Sequence, residues 1–400
     1  MKPYEQLNTP CFIFDEDELL GNIRAFRNSF EACWGQGGVI VGYSVKTTPI
    51  AGLISCAVNA GCYAEVVSDD EFALSLEAGC PVKDIVFNGP IKTKQWLDFA
   101  FDQGCIVNID SKRELAWTID YAKSHGSAPR VGLRINFDLE AAAPGQSMAE
   151  AEGVRFGFCF EDGSLAEAIA QLRAAGIEPA GLHAHFSTKD HLPETFAVIA
   201  QSVCEIKESF ALNALDYVDM GGGYYGGGLR RSMYDDYARA ITEQLVKAFD
   251  PDKVTLVVEP GGSVLCTPGF YLGRVIDTKT VRDKTFVVTE LSKLNLNSTA
   301  FARRGFSYEL LINEDRKILD NQILCGYTCI EMDRLCDLTQ EPELQAGDLV
   351  LIRNAGAYTA SFTPQFFIQA PPGVYLQKTD GTFEELVSHY HPVVPNLEGI

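Results

Sequence analysis

Eight short apolar runs, each followed by a longer helical stretch, occupy the first two-thirds of the chain. They span residues 39–46, 62–68, 84–89, 105–110, 130–136, 179–186, 217–223 and 255–261. Each run ends in polar residues or glycine, and continuous apolar strands between helices are typical of a parallel sheet buried on both faces. Eight consecutive βα units favour a (β/α)8 barrel. An open doubly wound sheet is the alternative that this pattern leaves open.

The pattern changes after about residue 265, where strand-like runs follow one another with few helical stretches between them. These runs are GFYLGRVIDTKTV, TFVVTEL, KILDNQILCG, DLVLIRNAG and GVYLQKT. Consecutive strands without intervening helices indicate a separate all-β domain. The sequence therefore predicts an α/β barrel that is followed by a C-terminal all-β domain.

The charge balance and the cysteines exclude several classes of function. A net charge of −21 repels phosphate backbones and anionic lipids, so we expect neither nucleic acid nor a membrane as partner. The first residues do not resemble a signal peptide and no apolar stretch is long enough to span a bilayer, so we expect a cytoplasmic protein. The 12 cysteines are scattered singly, and only Cys325 and Cys329 lie close together, at a spacing that matches no common zinc site. We therefore predict free thiols and no metal.

Chemically useful side chains gather where the predicted barrel strands end. Lys46 ends the first strand, His183 and His185 end the sixth, Gly221–Gly223 end the seventh and Glu259 ends the eighth. Barrel enzymes carry their catalytic groups at this end. Glycine amides can approach a phosphate, a lysine can form an imine with an aldehyde, and a carboxylate can pair with a protonated ring nitrogen. Together these contacts suit pyridoxal 5'-phosphate (PLP).

Eight motifs then occur in one order along the chain: YSVKTTP, NGPIKT, VNIDSKREL, GLHAHF, VDMGGGY, VVEPGGSV, CGYTCIEMDRL and AGAYTASF. In this set the sequence resembles the PLP-dependent diaminopimelate, ornithine and arginine decarboxylases, which have an alanine-racemase-like barrel (fold type III). The resemblance covers nearly the whole chain. It implies a PLP-dependent decarboxylase of a small amino acid that works as a homodimer with shared active sites.

The resemblance also implies a role for individual residues. It makes Lys46 the Schiff-base lysine, His185 the ring that stacks on the pyridine, Glu259 the partner of the ring nitrogen and Cys329 the acid that protonates the carbanion. The implied phosphate contacts are Thr188, Gly221, Gly222, Gly223, Gly261, Gly262 and Tyr358, and the implied substrate contacts include Asp333. A first strand at residues 9–14 is expected to join the β domain. The domains are therefore expected at 28–265 for the barrel, and at 1–27 with 266–400 for the β domain.

Three positions depart from the family pattern. Gly262 stands where the family has a phosphate-binding Arg, and HAHFST replaces HxHxGS around Thr188. Ile330 stands where an acid binds the distal amine of the substrate, with Glu331 next to it. An unpaired buried ammonium is costly, so free lysine and ornithine are unfavourable substrates. A diaminopimelate-like acid, whose distal carboxylate meets Arg303 or Arg304, and a conjugated diamino acid are the expected substrates.

Two other functions are compatible with the same barrel. An amino-acid racemase gains from an unprotonated ring nitrogen, which Glu259 opposes, and the cysteine motif belongs to the decarboxylases. A non-catalytic regulatory homologue would not need Lys46, Glu259 and Cys329 together. Both remain alternatives to a decarboxylase at this point.

Overall fold

The computed structural model describes residues 3–296, 306–312, 315–362 and 370–390. The chain divides into two compact units, one of Leu20–Val264 and the other of Met1–Leu19 with Leu265–Ile400. Sequence analysis places the domain boundaries at 27/28 and 265/266, and the compact units change over at 19/20 and 264/265. Residues 303 and 304, which we expected to bind substrate, lie outside the described residues.

The first strand, β1 (Cys11–Asp15), belongs to the second unit, and the barrel unit contains the next nine strands. These are β2 (Val39–Ser44), β3 (Tyr63–Val66), β4 (Ile85–Phe87), β5 (Ile106–Ile109), β6 (Gly132–Asn136), β7 (Phe158–Cys159), β8 (Gly181–His183), β9 (Tyr217–Asp219) and β10 (Thr255–Val258). Parallel neighbours follow the order β5-β4-β3-β2-β10-β9-β8-β6, and a β5–β6 pairing closes the ring. The predicted (β/α)8 barrel is confirmed, and the open doubly wound sheet is wrong. Among the described residues, the short β7 pairs with β6 alone, and it is an addition that the sequence pattern did not predict.

Helices alternate with these strands. They are α1 (Glu16–Glu31), α2 (Ala51–Asn59), α3 (Asp69–Glu77), α4 (Lys94–Asp102), α5 (Lys112–His125), α6 (Leu139–Ala142), α7 (Ser164–Ala174), α8 (Pro193–Ser209), α9 (Met233–Leu245) and α10 (Gly262–Leu265). Local capping sets where α3 begins: Ser68 Oγ accepts a hydrogen bond from the Glu71 amide at 3.2 Å, and the Glu71 carboxylate accepts one from the Val67 amide at 2.9 Å. Such caps fix the point at which each strand gives way to its helix.

The second unit is a mixed sheet with an internal N-terminal strand. After β1 it contains β11 (Gly269–Val281), β12 (Lys284–Thr289), β13 (Tyr308–Leu311), β14 (Ile318–Cys325), β15 (Arg334–Pro342), β16 (Leu349–Ile352), β17 (Gly373–Gln377) and β18 (Phe383–Val387). Strand β1 lies between β11, to which it is antiparallel, and β17, to which it is parallel. Its buried Cys11 and Ile13 pack with Leu272, Leu351 and Tyr375. The expected all-β domain is therefore present.

None of the helices in the described ranges combines the length and the apolar character that crossing a bilayer requires.

Candidate active site

Lys46 lies just beyond the end of β2, in a one-turn 3-10 helix of Val45–Thr47. Its ammonium group forms an ion pair with the carboxylate of Glu65, which stands on β3 and is almost fully buried. Ser44 Oγ donates a second hydrogen bond to the same Glu65 oxygen at 2.8 Å. The Lys46 side chain keeps 29% of its surface exposed, so its amine is held by Glu65 while part of the side chain stays accessible to solvent.

Asn88, which follows β4, connects Glu65 with Glu259. Its side-chain nitrogen donates to Glu259 Oε1 at 2.5 Å and to Glu65 Oε1 at 3.2 Å. Glu259 follows β10 and is 2% exposed. The Asn88 amide group therefore lies between two buried carboxylates, one from a residue 23 positions before it in the chain and one from a residue 171 positions after it.

A second asparagine extends this network to β9. Asn108 Nδ2 donates to Asn88 Oδ1 at 2.9 Å and to Asp219 Oδ2 at 3.1 Å, and the Tyr217 hydroxyl donates to Asn108 Oδ1 at 2.8 Å. Asp219 also accepts a hydrogen bond from the Gly221 amide at 2.9 Å. The strand ends of β3, β4, β5, β9 and β10 thus share one continuous polar network inside the barrel.

Burial shapes the charges of this network. Burial, together with the neighbouring Asp219 and Glu65 charges, raises the pKa of Glu259 well above its usual range. Burial likewise raises the pKa of Asp219 to about 7. The positive charge of Lys46 opposes the rise at Glu259. A buried set of acids like this one favours a cationic group beside it, because the cation offsets their mutual repulsion.

The two histidines of GLHAHF stand near these acids. His185 Nδ1 accepts a hydrogen bond from the Gly222 amide at 2.9 Å, which fixes the imidazole against the glycine loop. Burial, with Arg134 as a further cause, lowers the pKa of both His183 and His185 well below the usual value. Both rings are therefore neutral at pH 7. His183 Nε2 lies 3.8 Å from Glu259 Oε2. One nitrogen or oxygen atom from each of His183, Asp219 and Glu259 lies within 4.8 Å of the other two, a spacing that a metal ion would fit.

The glycine loop after β9 lies close to its neighbours. Gly221 has a φ of +62°, and a Cβ there would lie 2.6 Å from the Cβ of His185. A Cβ on Gly222 would lie 2.4 Å from the Glu259 carbonyl oxygen, and one on Gly261 would lie 2.4 Å from Thr47 Oγ1. At Gly262, by contrast, a Cβ would meet nothing within 4 Å, so there is open space where the resembling enzymes have Arg.

Buried hydroxyl groups without a partner accompany this loop in the barrel unit. The hydroxyls of Thr47, Thr188, Tyr224 and Ser263 have no hydrogen-bond partner in the described part of the chain. A buried unsatisfied hydroxyl costs about 1–3 kcal/mol, so a bound group with acceptor oxygens would stabilise such atoms. Together with the amine of Lys46 and the buried acids, these hydroxyls fit PLP, whose phosphate, aldehyde and ring nitrogen need those three kinds of contact.

The family comparison agrees with this fit. Residues 18–265 match the model of the pyridoxal-binding domain of pyridoxal-dependent decarboxylases. The chain belongs to this family. Its cofactor is therefore PLP and its class of reaction is amino-acid decarboxylation, and neither of the two alternatives, a racemase or a non-catalytic homologue, is supported by the comparison.

Relatives of this decarboxylase match over almost their whole length. The diaminopimelate decarboxylase of Zymomonas mobilis is 26% identical over 90% of this chain and 86% of its own. The L-glutamyl-[BtrI acyl-carrier protein] decarboxylase of Niallia circulans is 24% identical over 95% of this chain and 91% of its own. Among solved structures, diaminopimelate decarboxylase from Helicobacter pylori complexed with L-lysine has a TM-score of 0.80 at 22% identity, covering 97% of this chain and 96% of that one.

The site residues predicted in the motif CGYTCIEMDRL lie in the second unit, between β14 and β15. Cys329 is exposed and Ile330 is 39% exposed, both in the turn between β14 and β15, where Glu331 is also exposed. Asp333 is buried and accepts hydrogen bonds from Ser292 Oγ at 3.0 Å, the Lys293 amide at 2.8 Å and Thr328 Oγ1 at 2.7 Å. These bonds hold the turn that carries Cys329, and the substrate contact of Asp333 stays a prediction.

The structure assigns Tyr358 to the second unit as well. It is half-buried, has a φ of +55° and makes an edge contact with Phe362. Its contact with phosphate stays a prediction, because Lys46 and the glycine loop belong to the barrel unit. Lys46, His185, Glu259 and the glycine loop, all predicted from the sequence, lie together in the barrel unit, and the predicted residues of the second unit stay predictions.

Sequence analysis missed four polar residues of the network: Glu65, Asn88, Asn108 and Asp219. Each lies at the carboxyl end of a barrel strand, as Lys46 and Glu259 do. A polar side chain inside an otherwise apolar run, such as Glu65 in YAEV, was the available signal.

Proposed function

We propose that this decarboxylase acts on a small amino acid that resembles diaminopimelate or is a conjugated diamino acid, with Cys329 as the acid that completes the reaction. The observation that supports it is the network in which Lys46, Glu65, Asn88 and Glu259 meet at the carboxyl ends of the barrel strands. That network combines an accessible amine with a buried acid, which are the two groups a PLP decarboxylase needs at opposite ends of its cofactor.

Different barrel residues would hold the aldehyde, the ring and the phosphate of PLP. Lys46 would attach the aldehyde carbon, Glu259 would keep the ring nitrogen protonated, and His185 would lie against the ring. Thr188 and the amides of Gly221–Gly223, Gly261 and Gly262 would bind phosphate together with Tyr358, because no side chain at position 262 reaches it. When bound, PLP accepts the electron pair that remains on Cα after carbon dioxide leaves.

Two groups of the chain would move protons. Glu65, paired with Lys46, is placed to share the proton of that amine while substrate and lysine exchange places. The Cys329 thiol would then give its proton to the substrate carbon that has lost its carboxylate, leaving a thiolate. In the proposed homodimer, the exposed Cys329 thiol of one subunit would act in the site that contains Lys46 of the other subunit.

The side chain at position 330 supports the choice of substrate. Ile330 is apolar and partly exposed, so it offers no charge to a distal ammonium. A zwitterionic or acylated distal group has no unpaired positive charge and tolerates this neighbour. A relative that decarboxylates a glutamyl group on a carrier protein shows that conjugated substrates occur among similar proteins.

The test is a carbon dioxide release screen of the PLP-loaded protein across L-, D- and meso-amino acids and acylated diamino acids. Turnover of meso-diaminopimelate or of a conjugated diamino acid above that of free ornithine and lysine is the expected result. Chiral chromatography of the recovered substrate detects racemisation in the same samples. Inversion at Cα without carbon dioxide release would replace the proposal by the racemase reaction.

A further inference from the structure

We infer that Asn88 is a positioning residue that favours the ionised form of Glu259 and aims its carboxylate at the cofactor, an inference that rests on the function proposed above. The geometry is unusual in one respect: a single side-chain amide donates to two buried carboxylates at once, Glu65 at 3.2 Å and Glu259 at 2.5 Å. Asn88 is itself 2% exposed, so water cannot replace either bond.

The orientation of this amide is fixed by its neighbours. Carboxylates only accept hydrogen bonds, so the NH₂ side of Asn88 has to face Glu65 and Glu259. The oxygen side accepts from Asn108 Nδ2, and Asn108 is oriented in turn by the Tyr217 hydroxyl. Asn88 cannot flip without leaving a carbonyl oxygen against a carboxylate.

The consequence concerns the charge of Glu259. Three acids crowd this site, and burial raises the pKa of Glu259 well above its usual range. Hydrogen bonds donated to the ionised form of an acid favour that form, so the two N–H groups of Asn88 oppose the crowding. The charged or titratable groups that face Glu259 are Lys46, Glu65, Arg134, His183, Asp219 and Tyr224.

An ionised Glu259 matters because it determines whether the ring nitrogen of PLP carries a proton. In Asn88→Asp the 2.5 Å contact becomes one between two carboxyl groups that have to share a proton, so the negative charge is no longer confined to Glu259. In Asn88→Ala the donors are lost without any new charge. Both changes weaken the partner of the ring nitrogen, the first more than the second.

The experiment loads wild type and variants with ¹⁵N-labelled PLP and follows the ring nitrogen by NMR as a function of pH. We expect its deprotonation midpoint to fall by about one pH unit or more in Asn88→Asp, and by less in Asn88→Ala. Equilibrium dialysis should show PLP bound more weakly in the same order. Asn136→Asp is the matched control, since Asn136 also ends a barrel strand but its amide donates to the Val154 carbonyl at 2.8 Å.

Unchanged midpoints in the Asn88 variants, with Glu259→Gln shifted, would overturn the inference while leaving the proposed function intact. A wild-type ring nitrogen that titrates as in free PLP would instead remove Glu259 from its proposed role. Circular dichroism checks that each variant folds. Where Asn88→Asp does not fold, Asn88→Ala decides, because it adds no buried charge.

Discussion

A single substitution of Lys46 removes the amine that would hold the cofactor. Its side chain is partly exposed, and its amine pairs with Glu65, which also accepts a hydrogen bond from Ser44 Oγ. We expect Lys46→Ala to bind PLP without a covalent bond, because no amine remains at that position. The measurement is reduction with borohydride followed by peptide mapping, with Lys189→Ala, an exposed lysine paired with Glu150, as control. Label on another lysine in the Lys46 variant would mean that a different amine holds the cofactor.

Glu259 tests the electrostatic part of the site. Glu259→Gln keeps the shape and removes the charge that would face the ring nitrogen. We expect PLP to remain bound and turnover at saturating substrate to fall by about 10²–10³, the size of one preorganised charge contact in a buried site. Glu77→Gln, an exposed change on α3, should leave turnover unaltered. Normal turnover in Glu259→Gln would show that this carboxylate does not contact the cofactor.

Ile330 tests the substrate. If its apolar side chain disfavours a distal ammonium, Ile330→Glu should raise kcat/KM for ornithine relative to meso-diaminopimelate and to an N-acylated diaminopropionate. An ion pair to the new acid provides the physical reason. The neighbouring Glu331→Gln is the control for a general change of charge in this turn. Ratios that do not move in Ile330→Glu would mean that position 330 does not contact the distal group.

Strand β8 ends in a buried, neutral histidine, His183. The pKa of His183 is lowered well below its usual value by burial first and then by Arg134. Below about pH 6.5 the imidazole of His183 therefore binds a proton in the unfolded chain but not in the folded chain, and the free energy of unfolding decreases as the pH falls. The stability difference between wild type and His183→Gln should shrink by about 1.4 kcal/mol per pH unit below that point. Urea unfolding between pH 5 and 8 measures it, and a constant difference would mean that His183 is protonated in the fold.

Elements were more predictable from the sequence than their contacts. Each barrel strand lies inside one of the eight apolar runs, because burial on both faces requires a continuous apolar stretch. The two-residue β7 was missed because it is too short to give a periodic signal. The network of Asn88 and Asn108 was missed for another reason: it joins residues 20 to 171 positions apart, which come together only when the strands pair and the barrel closes.

In the proposed homodimer, each active site would be built from two subunits. Lys46 and Cys329 lie in different compact units, and the resemblance places them in one site contributed by two subunits. Mixing Lys46→Ala with Cys329→Ala chains should then restore up to about a quarter of wild-type activity, because half of the randomly exchanged dimers are mixed and each has one intact site of two. Each variant mixed with itself is the control. Absence of recovery after demonstrated subunit exchange would place the site within one chain.

The position of β1 in the second sheet has a consequence during synthesis. Its partner β11 is complete only at Val281, so at 5–20 residues per second the finished β1 waits on the order of 10 to 50 s on the ribosome. During that time Phe12, Ile13 and Phe14, which end almost fully buried, have no sheet to join. An unpaired apolar strand can pair with the same strand of a neighbouring nascent chain. The yield of folded protein should therefore depend on how densely ribosomes are spaced along the message and on chaperones that cover the first residues.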